Sequence, residues 1–129
     1  MRNIKNHKGQ SLVEFAIILP IILLLLMGMA EFGMMLNSYL AIQNSSREGA
    51  RLGIVGGTDL QINSVVTATS PSLTSSNLTV LITPLAGSRT SGGTLTVSLN
   101  YNYHTTVPII GAILKNVVVL HAQTSMRIE

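Results

Sequence analysis

From Phe15 to Ala30 the chain reads FAIILPIILLLLMGMA, sixteen residues without a charge. A helix built from them is apolar on every side, so it needs apolar surroundings all around. The chain has 129 residues, too few to wrap such a helix in its own mass. Extending the run back to Leu12 gives nineteen residues and takes in one carboxylate, Glu14. The hydrocarbon core of a bilayer, ~30 Å thick, accepts about 20 helical residues. The segment has that length if Glu14 stands near one interface.

Two other readings of the run compete with a membrane anchor. A buried core helix is excluded by the size of the chain. A removable secretory signal has a basic start, an apolar stretch and a small-x-small end, here Gly28-Met29-Ala30, and would release a protein beginning at Glu31. The carboxylate at the start of the run and its slightly long span favour the retained anchor. Arg2, Lys5 and Lys8 precede it with no acid among them. Positive flanks stay cytoplasmic, so the N-terminus is expected inside and the C-terminal domain outside.

Charged residues make up 10% of the chain, against about 25% in ordinary soluble domains. The net charge is +3, and it resides in the first eight residues. The rest is neutral, with no cluster of basic and aromatic side chains of the kind that reads nucleic acid. There is no cysteine, hence no disulfide, thiolate site or Cys nucleophile. His7, His104 and His121 lack metal-ligand spacing, and His104 and His121 read as surface or edge residues. Neither a metal site, a cofactor site nor a catalytic constellation is expected, and the chain reads as a non-enzyme.

A carboxylate in a membrane helix costs about 2.5 to 3.5 kcal/mol at the bilayer centre and less near an interface, and it usually has a partner. Glu14 therefore either snorkels to headgroups or meets a counter-charge from another molecule or a new chain end. A cut after Gly9 would create such an end, an α-amine on Gln10. In a staggered assembly of helices, one subunit's Glu14 could neutralise its neighbour's amine, removing most of the cost of burying either charge.

The stretch KGQSLVEFAIILPIILLLLMGMAEFGMMLNSYLAIQNSSREGAR resembles the N-terminal region of the TadE/TadG-like pilus-assembly proteins, minor pseudopilins of the tight-adherence (Flp-type) pilus system. The resemblance covers about Lys8 to Arg51 and rests on three ordered features. The first is a basic leader ending at Gly9, with Glu14 and Phe15 five and six residues on. The second is the apolar run carrying Pro20, followed by Glu31-Phe32-Gly33. The third is Arg47-Glu48-Gly49-Ala50-Arg51. The ending HAQTSMRIE, His121 to Glu129, is similar to the way these chains often finish.

The resemblance implies a processing site at Lys8, Gly9 and Gln10, where a prepilin peptidase cuts after Gly9. It implies a role for Glu14 and Phe15 in processing or subunit registration. It also implies other pseudopilins and pilins, an inner-membrane assembly platform and the lipid bilayer as partners. The protein would then be single-pass in the cytoplasmic membrane.

The expected fold is α+β and pilin-like: a long N-terminal helix packed on a small antiparallel sheet. Residues 1–9 form the leader, 10–33 the transmembrane helix and 34–57 its amphipathic continuation. After Ala30 no proline interrupts the chain until Pro71, and the first clustered breakers are Gly53, Gly56 and Gly57. Pro20 lacks the N–H that would bond the Ala16 carbonyl, so a kink or local opening is expected there. Met35, Tyr39, Ile42, Ser46, Gly49 and Gly53 recur at four-three spacing and form the stripe expected to pack on the chain's own sheet. Packing on a partner helix is the alternative. Arg47, Glu48 and Arg51 fall largely opposite, as possible partner contacts. Glu31 is expected either to face water at the interface or to meet a basic partner.

Residues 58–129 form the exported domain. Thr58 to Thr69 is read as a helix capped by Thr58 or Asp59, although Val65-Val66-Thr67 leans toward a strand. Strands are expected near 77–83, 94–103 and 117–128, each with one apolar side and one side of Thr, Ser, Asn or Gln. Thr106 to Asn116 reads as a short helical excursion. One-faced strands need cover, and the amphipathic half of the long helix supplies it. The competing functional class is a generic signal-anchored exported domain that binds a ligand or surface polymer through its sheet.

Overall fold

A computed structural model describes residues 7–129 of the chain. Helix α1, His7–Ile54, is one 48-residue helix, about 72 Å long at 1.5 Å per residue. It stays helical through Pro20. It ends at Ile54, where the glycines take over. Gly56 adopts φ 90°, and the Gly57 N–H turns back to the Leu52 carbonyl at 3.0 Å. This left-handed turn closes the helix as glycine-ended helices commonly do.

Helix α2, Asp59–Ala68, follows at once. The Thr58 hydroxyl accepts from the Gln61 N–H at 3.3 Å, and Gln61 Oε1 accepts from the Thr58 N–H at 2.9 Å. That reciprocal capping box satisfies two donors at the helix start. Ile62 and Val66, one turn apart, are fully buried. Their helical spacing against α1 prevails over the strand preference of the local Val-Val-Thr.

Strands β1 (Leu78–Thr83), β2 (Thr94–His104) and β3 (Val117–Arg127) form one antiparallel sheet in the order β1-β2-β3. Leu78 pairs with Tyr101 and Thr83 with Thr96; Thr94 pairs with Arg127 and His104 with Val117. Between β2 and β3 lies the short helix α3, Pro108–Leu114, with proline in its first turn.

The core lies between one face of the sheet and the second half of α1. Leu95, Val97 and Leu99 are fully buried there, with Ile42 and Ala50 of α1 and Ile62 and Val66 of α2. Close approach is possible because α1 presents small residues. A Cβ on Gly53 would overlap Leu95 Cδ2, and one on Gly49 would stand 2.9 Å from Val66 Cγ2. Hydroxyls bridge the elements as well. Ser46 Oγ is 2.7 Å from Thr124 Oγ1, and Thr69 donates to Ser45 Oγ at 3.0 Å.

The buried line on α1 differs from the expected stripe at one position. Ser38 is buried, whereas Tyr39 is 39% exposed. Buried or half-buried positions run 31, 35, 38, 42, 45, 49, so residue 39 lies just beside the seam. Ser38 fits because its hydroxyl bonds back to the Met34 carbonyl at 3.2 Å and needs no further partner.

Among the described residues nothing covers the other face of the sheet. It carries Thr79, Thr96, Asn100, His121 and Ser125, with Thr96 and Ser125 hydroxyls 2.9 Å apart and His121 Nδ1 2.7 Å from Asn100 Oδ1. His104 and His121 are both exposed.

Candidate functional site

The N-terminal half of α1 holds the residues expected to act in processing and assembly. Among the described residues, the hydrophobic window of this helix has no buried member. Phe15 is 58% exposed and Ile17 64%. The apolar run is exposed at every residue except the half-buried Gly28, which excludes its being the chain's own core helix. Its length and composition suit a membrane anchor.

The leader residues 1–6, including Arg2 and Lys5, lie outside the described residues. Lys8, Gly9 and Gln10 lie within α1. Gly9 has no heavy atom within 4 Å of the place a Cβ would occupy. Gln10 Nε2 donates to Glu14 Oε1 at 3.3 Å, one turn along the helix. Glu14 and Phe15 are thus presented on an exposed helical surface, with no part of the sheet domain over them.

At the other end of the apolar run the chain closes on itself. Glu31 is 1% exposed. Its Oε1 accepts from the Tyr103 hydroxyl at 2.9 Å and from the Thr106 N–H at 3.0 Å. Its Oε2 accepts from the Val107 N–H at 3.0 Å. This corrects the expectation that Glu31 faces water or a basic partner. A carboxylate at this level is stable because three donors, one from the end of β2 and two from the β2–α3 connection, converge on it, and charge-assisted bonds of this kind are the strong ones. Burial raises the Tyr103 phenol above the ordinary tyrosine range, and the hydrogen bond to Glu31 and its charge push the same way. Glu31, Tyr103, Thr106 and Val107 make up a polar lock between the end of the apolar run and the sheet.

Arg47, Glu48 and Arg51 are exposed on the face of α1 turned from the core. Arg51 pairs with Glu48 at 3.8 Å, one turn apart, a contact that contributes little to stability at a solvated surface. These side chains remain available to a neighbour. The arrangement therefore separates the predicted residues into three groups. Lys8 to Phe15 and Arg47 to Arg51 lie at opposite ends of one helix, while Glu31 is consumed inside the fold.

Arg89 was not singled out from the sequence, yet it organises the far end of the domain. Its guanidinium pairs with Asp59, donates to the Gly57 carbonyl at 2.5 Å and donates through Nε to the Pro84 carbonyl at 3.2 Å. Asp59 Oδ2 in turn accepts from the Ala86 N–H at 3.1 Å. The available signal was one of isolation. Arg89 is the lone charge of its Gly/Ser/Thr loop, and Asp59 is the lone acid between Glu48 and the final residue. Among the described residues no three His, Asp or Glu side chains gather as a metal ion would require.

The N-terminal segment that carries the exposed run also carries a family signature. Residues 9–51 match the TadE-like protein family. The match begins at Gly9 and ends at Arg51, and so takes in Glu14, Phe15, the lock carboxylate and Arg47 to Arg51 while leaving α2, the sheet and α3 outside. It covers about a third of the chain. The similarity is confined to this segment, whose single apolar helix has the length and composition of a membrane anchor. No curated protein and no solved structure matches the chain.

Proposed function

We propose that the chain is a membrane-anchored minor pseudopilin, a non-catalytic subunit that takes part in assembling a Flp-type pilus after a prepilin peptidase cuts between Gly9 and Gln10. The observation that carries this reading is a TadE-like segment whose apolar half is almost wholly exposed. Such a surface is stable in two settings, a bilayer and a bundle of like helices, and a pilin-type subunit passes from one to the other. Glu14 and Phe15 act in processing and in registering one helix against the next. Cleavage gives Gln10 an α-amine, and a neighbouring Glu14 supplies its counter-charge. The exposed Arg47, Glu48 and Arg51 contact other pseudopilins, pilins or the inner-membrane platform.

In this reading the leader stays in the cytoplasm and the sheet domain lies outside the cytoplasmic membrane. Removal of Arg2, Lys5 and Lys8 takes the side-chain charge from +3 to zero, so the working subunit is neutral.

The intact mass and first residue of the protein purified from its host membrane test the proposal. A start at Gln10 is the expected result. A chain that keeps Met1, or loses only Met1, supports a generic signal-anchored domain instead. A start at Glu31 means release as a secreted protein. Gly9→Leu should block the cut; a normally processed Gly9→Leu chain would overturn the assignment of the site.

A further inference from the structure

The excursion between β2 and β3 is placed oddly for a domain lying clear of the membrane. From Val107 to Leu114 the chain reads VPIIGAIL, with no charged and no hydrogen-bonding side chain. Ile110 turns inward and is 8% exposed. Its Cδ1 lies 3.7 Å from the place a Cβ on Gly28 would occupy. Gly28 belongs to the uncharged run and precedes Glu31 by three residues, or about 4.5 Å along the helix axis. Thus Ile110 of α3 reaches past Glu31, the charge that bounds the apolar run, to the level of the run itself.

The rest of α3 faces outward. Ile109 is 53% exposed, Ile113 69% and Leu114 51%. Water is a poor neighbour for such a cluster. Several polar groups of the neck are satisfied from within. Glu31 accepts from the Thr106 and Val107 N–H groups. The Thr105 N–H and hydroxyl both donate to the Asn116 carbonyl, at 3.1 and 3.3 Å, and the Gly111 N–H bonds to the Val107 carbonyl at 2.9 Å. A segment entering hydrocarbon needs its backbone groups satisfied internally. Lys115, exposed at the end of α3, has a long stem that lets its ammonium reach headgroups.

We infer that α3 is a second membrane contact: a short apolar helix seated among the acyl chains of the outer leaflet beside α1, with Ile109, Ile113 and Leu114 in lipid. The occupant is lipid because Ile110 of α3 meets the membrane-spanning part of α1 at Gly28, which sets the depth of α3. The Glu31 lock then holds the domain at a fixed height and rotation on the bilayer surface. This inference rests on residues 10–33 spanning the membrane.

The chain has no cysteine, so single-cysteine variants accept one fluorophore each. Ile113→Cys and Ile109→Cys report on α3, Leu24→Cys on the span and Ser88→Cys on the far end of the domain. Each full chain is labelled with an environment-sensitive nitrobenzoxadiazole dye. It is then reconstituted in phosphatidylethanolamine and phosphatidylglycerol vesicles containing doxyl-labelled lipid. The expected result is blue-shifted emission and strong lipid quenching at Leu24, Ile113 and Ile109, several-fold above that at Ser88. Quenching at Leu24 with water-like emission at both α3 positions overturns the inference and leaves the anchor standing. Blue-shifted but unquenched α3 labels overturn it too, since a protein surface would then cover the helix. An unquenched Leu24 label overturns the span and the inference together.

Discussion

The Tyr103 hydroxyl donates to Glu31 Oε1 across 72 residues of sequence, at 2.9 Å and out of contact with solvent. This bond joins the end of the sheet's central strand to the point where the apolar run of α1 stops. With the Thr106 and Val107 N–H groups it gives the carboxylate three donors, and it fixes where the sheet domain begins along the helix.

Removing that acceptor should loosen the β2–α3 connection. Glu31→Ala leaves buried donors without partners, at about 1–3 kcal/mol for each group left unsatisfied. Glu31→Gln keeps one acceptor oxygen and should fall between it and the native chain. Chemical unfolding of the full chain in detergent reads the difference, and limited proteolysis should cut between residues 104 and 117 first in Glu31→Ala. Equal stability of Glu31→Ala and the native chain would contradict the lock.

The same bond shapes the alkaline titration. Burial of the Tyr103 phenol, then its hydrogen bond to Glu31 and that residue's charge, raise its pKa above the ordinary value of 10.0. A group whose folded pKa is raised supports the fold below its unfolded pKa and loses that support as pH climbs through the folded value. Stability linked to Tyr103 should therefore be intact below about pH 10 and decline above it. Phenolate absorbance at 295 nm, native minus Tyr103→Phe, isolates this titration. In Glu31→Gln it should move to lower pH, because the charge that opposes the phenolate is gone.

Gly53 and Gly33 should respond oppositely to alanine. A methyl at Gly53 meets Leu95 Cδ2 and stands 2.9 Å from Ile62 Cδ1, both on fully buried side chains. Overpacking of this kind costs about 1–3 kcal/mol, and a helix-propensity gain of roughly 1 kcal/mol only partly offsets it. At Gly33 nothing lies within 4 Å of the new methyl, so Gly33→Ala should leave domain stability unchanged or slightly raised. Thermal melts of the two full-length variants in one detergent check the contrast.

Arg89→Ala should destabilise the distal end of the domain. It removes the partner of Asp59 and the donors to the Gly57 and Pro84 carbonyls. Hydrogen bonds to charged groups are worth about 1.5–3 kcal/mol, which sets the scale of the loss. Arg89→Lys keeps the charge but not the planar fork and should recover only part of it. Hydrogen exchange should report faster opening around Gly57 and Ala86, while the Glu31 lock keeps its protection.

Much of the architecture was readable from local pattern. A run with no charge and no polar face admits few environments, so FAIILPIILLLLMGMA set the anchor and its length. Alternation at Leu95, Val97, Leu99, Tyr101 and Tyr103 set a one-faced strand, because period two is a property of the strand backbone. The Thr58–Gln61 box is equally local, since both partners lie within one turn.

Other features depended on the docking of distant segments. The four-three spacing placed the seam on α1 but put Tyr39 in it, where Ser38, one helical step away, is the buried residue. The choice followed from the register of α1 on the sheet. Glu31 looked like an interfacial carboxylate because nothing near it in sequence could bond it. Its donors lie more than seventy residues away. Arg89 and Asp59 were two isolated charges until the 84–93 loop folded over the start of α2.

The sequence by itself determined that one end of this protein belongs in an apolar medium and that the other forms a helix-backed sheet, since those are consequences of hydrophobic period and run length. Only the tertiary structure decided where along α1 the sheet docks, which carboxylate disappears inside the fold and which apolar side chains of α3 stay bare. Those outcomes depend on the meeting of groups far apart in the chain, and no local preference encodes such a meeting.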